Sequence, residues 1–129
     1  MDPHGPVLVV DDEPEIRETM ERLLELSGHA VTTAENGEEA MRRLRAGLVP
    51  CLILLDLEMP VKDGFSFRRE QLADPLLARI PVIIHSSRPD AEQIAARLKA
   101  IAHFPKPLNF DSLLSVIAAH CCHALSAPK

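Results

Sequence analysis

Three carboxylates, a pair of hydroxyls and an ammonium each stand directly after a short apolar run. VLVV at 7–10 leads into Asp11 and Asp12, CLILL at 51–55 into Asp56, PVII at 81–84 through His85 into Ser86 and Ser87, and the last apolar stretch into Lys106. If these runs are neighbouring strands of an open parallel sheet, their carboxyl ends share one edge, and ligands bind beyond that edge. Carboxylates gathered in one place resist ionisation unless a cation joins them, so Asp11, Asp12 and Asp56 read as a site for a hard, oxygen-seeking metal. Mg²⁺ is the natural candidate, and Mn²⁺ can replace it. Such an ion leaves coordination positions for a phosphate oxygen, while Lys106 and the Ser86 hydroxyl bind the other oxygens. That set is suited to phosphoryl transfer, where alignment and charge neutralisation outweigh acid–base chemistry. Asp56 is then the nucleophile.

Taken singly, each piece has a plainer reading. An Asp pair after a strand caps a turn or helix, Ser86 and Ser87 cap a helix before Pro89, and a Lys between two prolines is a solvated loop cation. The functional reading rests on their coincidence at the ends of separate strands.

The elements that must position these groups are legible in the apolar pattern. Nearly continuous Val, Ile and Leu runs suit strands of a parallel sheet covered on both faces. Ile16, Met20, Leu23 and Leu24 mark one helical face, with Pro14 at its start and Gly28 at its end. Weaker strand signals at 30–33 and 103–104 each precede a helical pattern: Ala40, Met41 and Leu44 after the former, and Leu113, Leu114, Ile117 and Cys121 after the latter. Another helix carries Ile94, Ala95 and Leu98. The segment after Gly64 must hold the third helix, but Arg68 and Arg69 interrupt its stripe and leave its phase undefined. The count is five βα units. The 11 prolines mostly mark element boundaries: Pro14 and Pro89 can open helices, Pro50 and Pro81 can introduce strands, and Pro60 can shape a turn. Pro105 and Pro107 remove amide donors, which makes the fifth strand an edge strand.

The totals fit one domain over 1–129, with a core at about 7–121 and short frayed termini. A hydrophobic share of 47% with 26% charged residues is ordinary for a globular chain and excludes disorder and fibrous classes. A formal charge of −5 without clustered Lys and Arg argues against direct nucleic-acid binding. No apolar run is long enough to span a membrane, and the opening MDPHGP lacks signal-peptide features, so a cytoplasmic location is expected. Cys51, Cys121 and Cys122 are too few and too poorly spaced for a disulfide framework, which predicts reduced thiols. The tail HCCH, 120–123, invites a zinc reading. Consecutive helical residues point about 100° apart and cannot converge on one tetrahedral ion. Cys121 belongs instead to the core face.

From Val7 to Cys121 the sequence resembles the receiver domain of bacterial two-component response regulators. DLEMPVKDG at 56–64 matches the family's acceptor pattern of Asp, two residues, Met-Pro, two residues, Asp-Gly. VVDDE and FPKPL match its acidic and Lys-Pro motifs. The resemblance implies a flavodoxin-like (βα)5 sandwich: a doubly wound five-stranded parallel α/β sheet in the order 2-1-3-4-5. It implies that Asp56 accepts a phosphoryl group from a sensor histidine kinase or a histidine phosphotransfer protein. Asp12, Asp56 and the backbone carbonyl of Glu58 would hold Mg²⁺ directly, and Asp11 would act through water. Ser86 takes the place of the switch hydroxyl, Lys106 pairs with the phosphoryl group, and the Lys106–Pro107 bond is expected to be cis.

Two positions depart from the family pattern. His103 stands where an aromatic switch residue is usual, and the chain has no Tyr or Trp. His103 is either a pH-responsive switch or a partly buried, hydrogen-bonded ring. Ser87 replaces a smaller residue and adds a hydroxyl at the rim of the pocket. Glu58 and Arg88, two residues beyond the acceptor and the switch hydroxyl, should complete that rim. Their opposite charges suggest either a pair that slows the approach of water or a surface pair of little effect.

The resulting expectation is a phosphorylation switch that is not itself an enzyme but assists its own phosphorylation and dephosphorylation. Its output would be read by a downstream partner on the face of the fourth helix, fifth strand and fifth helix. A homodimer is compatible with this reading. The context is a stand-alone regulator, a relay intermediate or a receiver from a larger protein. Two rivals are a metal-dependent aspartyl-phosphate phosphatase, whose family places a second Asp where Glu58 stands, and a scaffold indifferent to phosphorylation.

Overall fold

A computed structural model of the chain describes residues 4–121. Its order is β1 (Val7–Val10), α1 (Pro14–Leu26), β2 (Val31–Ala34), α2 (Gly37–Arg45), β3 (Leu52–Asp56), α3 (Gly64–Ala73), β4 (Val82–Ser86), α4 (Ala91–Arg97), β5 (Ala102–Pro105) and α5 (Phe110–His120). All strand pairs are parallel, in the order β2-β1-β3-β4-β5. β5 is therefore an edge, in keeping with Pro105 at its end. The result is the flavodoxin-like (βα)5 sandwich.

The apolar strands read as they do because both faces of the sheet are covered. Side chains alternate across a strand. Leu8, Val10, Ile53, Leu55, Val82 and Ile84 accordingly pack with Ala40, Met41, Leu44, Phe67, Ile94 and Ala95 of α2, α3 and α4. The intervening Val7, Val9, Leu52, Leu54 and Ile83 pack with Met20 and Leu24 of α1 and Leu113 and Ile117 of α5. Helix starts follow local chemistry: Asn36, Asp63 and Asn109 each accept a backbone N–H from three residues on. Pro14 opens α1, and Gly28 leaves it at φ 92°. The weak strand signal at 30–33 is displaced by a residue, that at 103–104 is extended by one residue at each end, and β4 runs on to include His85 and Ser86. Pro89 lies in the turn before α4, one residue ahead of its N-cap Asp90.

The third helix shows why its phase is obscure in the sequence. Arg68 and Gln71 face inward and are 3% and 0% exposed. Arg68 donates to the carbonyls of Leu98 and Lys99 at the end of α4 at 2.9 and 3.1 Å, and to Gln71 Oε1 at 2.7 Å. Gln71 in turn donates to the carbonyls of Leu77 and Ile80 at 2.8 and 3.1 Å. A buried cation is tolerated here because carbonyl dipoles at a helix C-terminus receive it.

One expectation is overturned. Cys51 and Cys121 are not free thiols but form a disulfide, with Cα atoms 5.4 Å apart. α5 lies along the sheet face that holds Leu52, so its C-cap residue reaches the residue preceding β3. A separation of 70 residues conceals this contact in the sequence. Cys121 is buried, as its place on the apolar face suggested. His120 ends α5 and its Nδ1 donates to the Val116 carbonyl at 3.0 Å, while Cys122 and His123 lie outside the described residues. Among the described residues no helix is long and apolar enough to cross a membrane.

Candidate functional site

The carboxyl ends of the strands deliver the expected groups to one edge. Asp11 and Asp12 follow β1, Asp56 closes β3, Ser86 closes β4 and Lys106 follows β5. One carboxylate oxygen from each of Asp11, Asp12 and Asp56 lies within 4.8 Å of the others. Lys106 Nζ stands 3.3 Å from Asp11 Oδ2, 3.1 Å from Glu13 Oε1 and 3.7 Å from Asp56 Oδ2. Asp11 and Asp56 are almost fully buried. The Lys106–Pro107 bond is cis, as the resemblance implied.

Local bonds fix the acids. Asp11 accepts the Glu13 N–H at 2.9 Å on its side chain and the Arg17 guanidinium at 2.6 Å on its carbonyl. Burial, then repulsion from Asp11, pushes the Asp56 carboxyl up to about 7 against the pull of Lys106. Burial likewise raises Asp11, against its bond from Glu13 N–H and the charge of Lys106. Carboxyls that resist ionisation beside one another are poised to gain from a hard cation. The residues therefore fit Mg²⁺, or Mn²⁺, on donor chemistry.

The acceptor motif has a physical reading in this fold. Asp63 caps α3 by accepting from the Ser66 N–H at 2.8 Å. A Cβ on Gly64 would come within 2.4 Å of the Asp56 carbonyl oxygen and 2.8 Å of Leu57 Cα. Only glycine lets α3 begin directly against the end of β3, and its N–H donates to the Leu57 carbonyl at 2.9 Å. Met59 is buried in the core, and Lys62 ties the loop to α2 and α3 through Glu38 and Glu70. Val61 takes φ 69°, an uncommon and strained conformation for a β-branched residue.

The rim is arranged differently from the expectation. Arg88 does not pair with Glu58: its guanidinium binds the Asp90 carboxylate at 3.0 and 3.2 Å and lies 5.5 Å from the centre of the Phe65 ring. Asp90 is two residues away on the same turn, so it outcompetes an exposed Glu58 on another loop. Glu58 instead turns its backbone N–H toward Asp56 Oδ1 at 3.4 Å. Ser86 is buried and accepts the Arg88 N–H at 3.1 Å, while Ser87 is exposed. His103 is half-buried beside Ile84, and its buried Nε2 has no hydrogen-bond partner.

Two neighbours of the site carry no role in the sequence reading. Glu13, the third acid of VVDDE, is the carboxylate nearest Lys106. Its adjacency to Asp12 was the available signal. His85 is buried in β4 with Nε2 unpartnered, and burial, then the charge of Lys106, pushes it down to about 4, leaving a neutral ring at neutral pH. Its place inside an apolar strand made it look like part of the core.

Known proteins share this arrangement. The response regulator receiver domain family matches residues 7–118. A gliding motility regulatory protein of Myxococcus xanthus is 47% identical over 81 residues, covering 63% of this chain and 10% of that protein. The DNA-binding transcriptional regulator NtrC of Escherichia coli is 34% identical over 120 residues, covering 92% of this chain and 25% of that protein. The chain thus spans a quarter or less of the length of these relatives. The response regulator TrrA from Thermotoga maritima, solved in complex with Mg²⁺–BeF, superposes with a TM-score of 0.78 at 31% identity, covering 89% of this chain and 97% of that one. The chain belongs to the response regulator receiver domain family, with the CheY-like fold of that family.

Proposed function

We propose that this chain is a phosphorylation switch in which Asp56 accepts a phosphoryl group from a phosphohistidine on a sensor histidine kinase or a histidine phosphotransfer protein. The observation that carries the reading is the juxtaposition of Asp56 with Asp11, Asp12 and Lys106 at one strand edge. Asp11, Asp12, Asp56 and the Glu58 carbonyl would hold Mg²⁺, which supplies charge neutralisation for an incoming phosphate when bound. In the transfer, an Asp56 carboxylate oxygen forms a bond to phosphorus as the phosphorus–nitrogen bond to the donor histidine breaks. Lys106 and the Ser86 hydroxyl then bind oxygens of the acyl phosphate.

The Ser86 hydroxyl accepts the Arg88 N–H. Its rotation toward a phosphoryl group would release the turn before α4 and alter the α4–β5–α5 face that a downstream partner reads. His103 lies on that face. The chain acts as a signalling element that assists its own phosphorylation and dephosphorylation, not as an enzyme on separate substrates.

The test is incubation with acetyl phosphate and magnesium, followed by intact-mass and peptide mapping. One phosphoryl group should appear on Asp56 and none on the Asp56→Asn protein. Absence of the adduct, or its appearance elsewhere, refutes the reading. Sustained turnover of phosphomonoesters would favour a phosphatase, and partner binding that survives Asp56→Asn would favour a scaffold.

A further inference from the structure

We propose that Glu13 is a positioning residue that holds the Lys106 ammonium at the edge of the site while a cation occupies the carboxylates, and releases it when a phosphoryl group arrives. This deepens the reading of the site given above and rests on it.

Lys106 faces three carboxylates of unequal standing. Asp11 and Asp56, with side chains 3% and 6% exposed, lie inside the cluster suited to a metal. Glu13 is 56% exposed, lies outside that cluster, and is the nearest of the three at 3.1 Å. It is also the N-cap residue of α1, yet its side chain makes no capping bond. A carboxylate at that position ordinarily gains from the helix N-terminus. Here it reaches across to a lysine 93 residues away.

A divalent ion among Asp11, Asp12 and Asp56 competes for the two buried partners of Lys106 and repels the ammonium. Glu13 is the partner that the ion does not claim, so it gives Lys106 a place to remain. Without it, the ammonium stays bound to Asp11 and Asp56 and opposes the cation. Because the Glu13 pair is exposed and screened, it is weak enough to yield to a multiply charged phosphoryl group. A pair buried as deeply as Asp11 would hold the lysine too firmly.

The test is a double-mutant cycle on magnesium binding, measured by calorimetry on the intact chain, with Glu13→Gln, Lys106→Met and both together. Glu13→Gln should weaken magnesium binding about two- to fivefold when Lys106 is present, the range expected for an exposed ion pair. In the Lys106→Met background the same change should have little effect. Equal weakening in both backgrounds would make Glu13 a remote charge and overturn the proposal, as would no weakening in either. Should Lys106→Met fail to fold, Lys106→Gln, which removes the charge but keeps a polar end, replaces it. A wild-type chain that takes up no magnesium would refute the metal site itself, an outcome distinct from additivity.

Discussion

Replacing the acceptor Asp56 with Asn should stabilise the metal-free protein, and the size of the gain follows from the site. The Asp56 carboxyl is raised from its ordinary 3.8 to about 7, first by burial and then by Asp11. The unfolded chain loses that proton near its ordinary value, whereas the folded chain keeps it to about 7. The unfolded state therefore gains on the folded one as pH rises between these values, and the full penalty stands above about pH 7. Ionising a carboxyl held that far up costs about 4 kcal/mol. Part of it is shared with Asp11, which remains, so a gain of about 2 to 4 kcal/mol is expected from Asp56→Asn at pH 8. The amide can keep the Glu58 N–H, and Lys106 retains Asp11 and Glu13. For a chain of 129 residues this corresponds to a Tm roughly 7 to 15 °C higher. Calorimetry in chelator from pH 5 to 8 should show the two proteins converging toward the acid end. Magnesium should then raise the wild-type Tm and narrow the gap, because it binds the ionised folded site. A variant that melts at or below the wild-type temperature at pH 8 without metal would refute the crowding argument.

Two further outcomes depend on contacts away from the acids. Arg68→Met strips the donor from the last carbonyls of α4 and should cost about 2 to 3 kcal/mol in urea unfolding. Hydrogen exchange should show α4 losing protection before α1, and an unchanged exchange pattern would mean that Arg68 does not hold α4. Reducing the Cys51–Cys121 bridge, or replacing either cysteine with Ser, should cost about 4 kcal/mol for a separation of 70 residues, or roughly 15 °C in Tm. Thiol alkylation of the unreduced protein that labels both residues would show that the bridge does not form.

What the sequence determined by itself is local. Strand identity follows from runs such as VLVV and LILLD, because a strand covered on both faces must be apolar at every position. The placement of Asp11, Asp12, Asp56, Ser86 and Lys106 follows too, since a parallel sheet brings all strand ends of one polarity to the same edge. The start of α1 is readable because the fixed φ of Pro14 suits a first helical position, whereas the caps Asn36, Asp63 and Asn109 emerged with the structure. The tertiary structure decided whatever depends on the group standing across a gap. Arg68 looks like a surface residue until the carbonyls of α4 appear beside it, and Cys51 looks like a free thiol until α5 brings Cys121 to it. Arg88 chose Asp90 over Glu58, and Lys106 gained Glu13, because distance and solvent screening, not charge alone, select ion-pair partners.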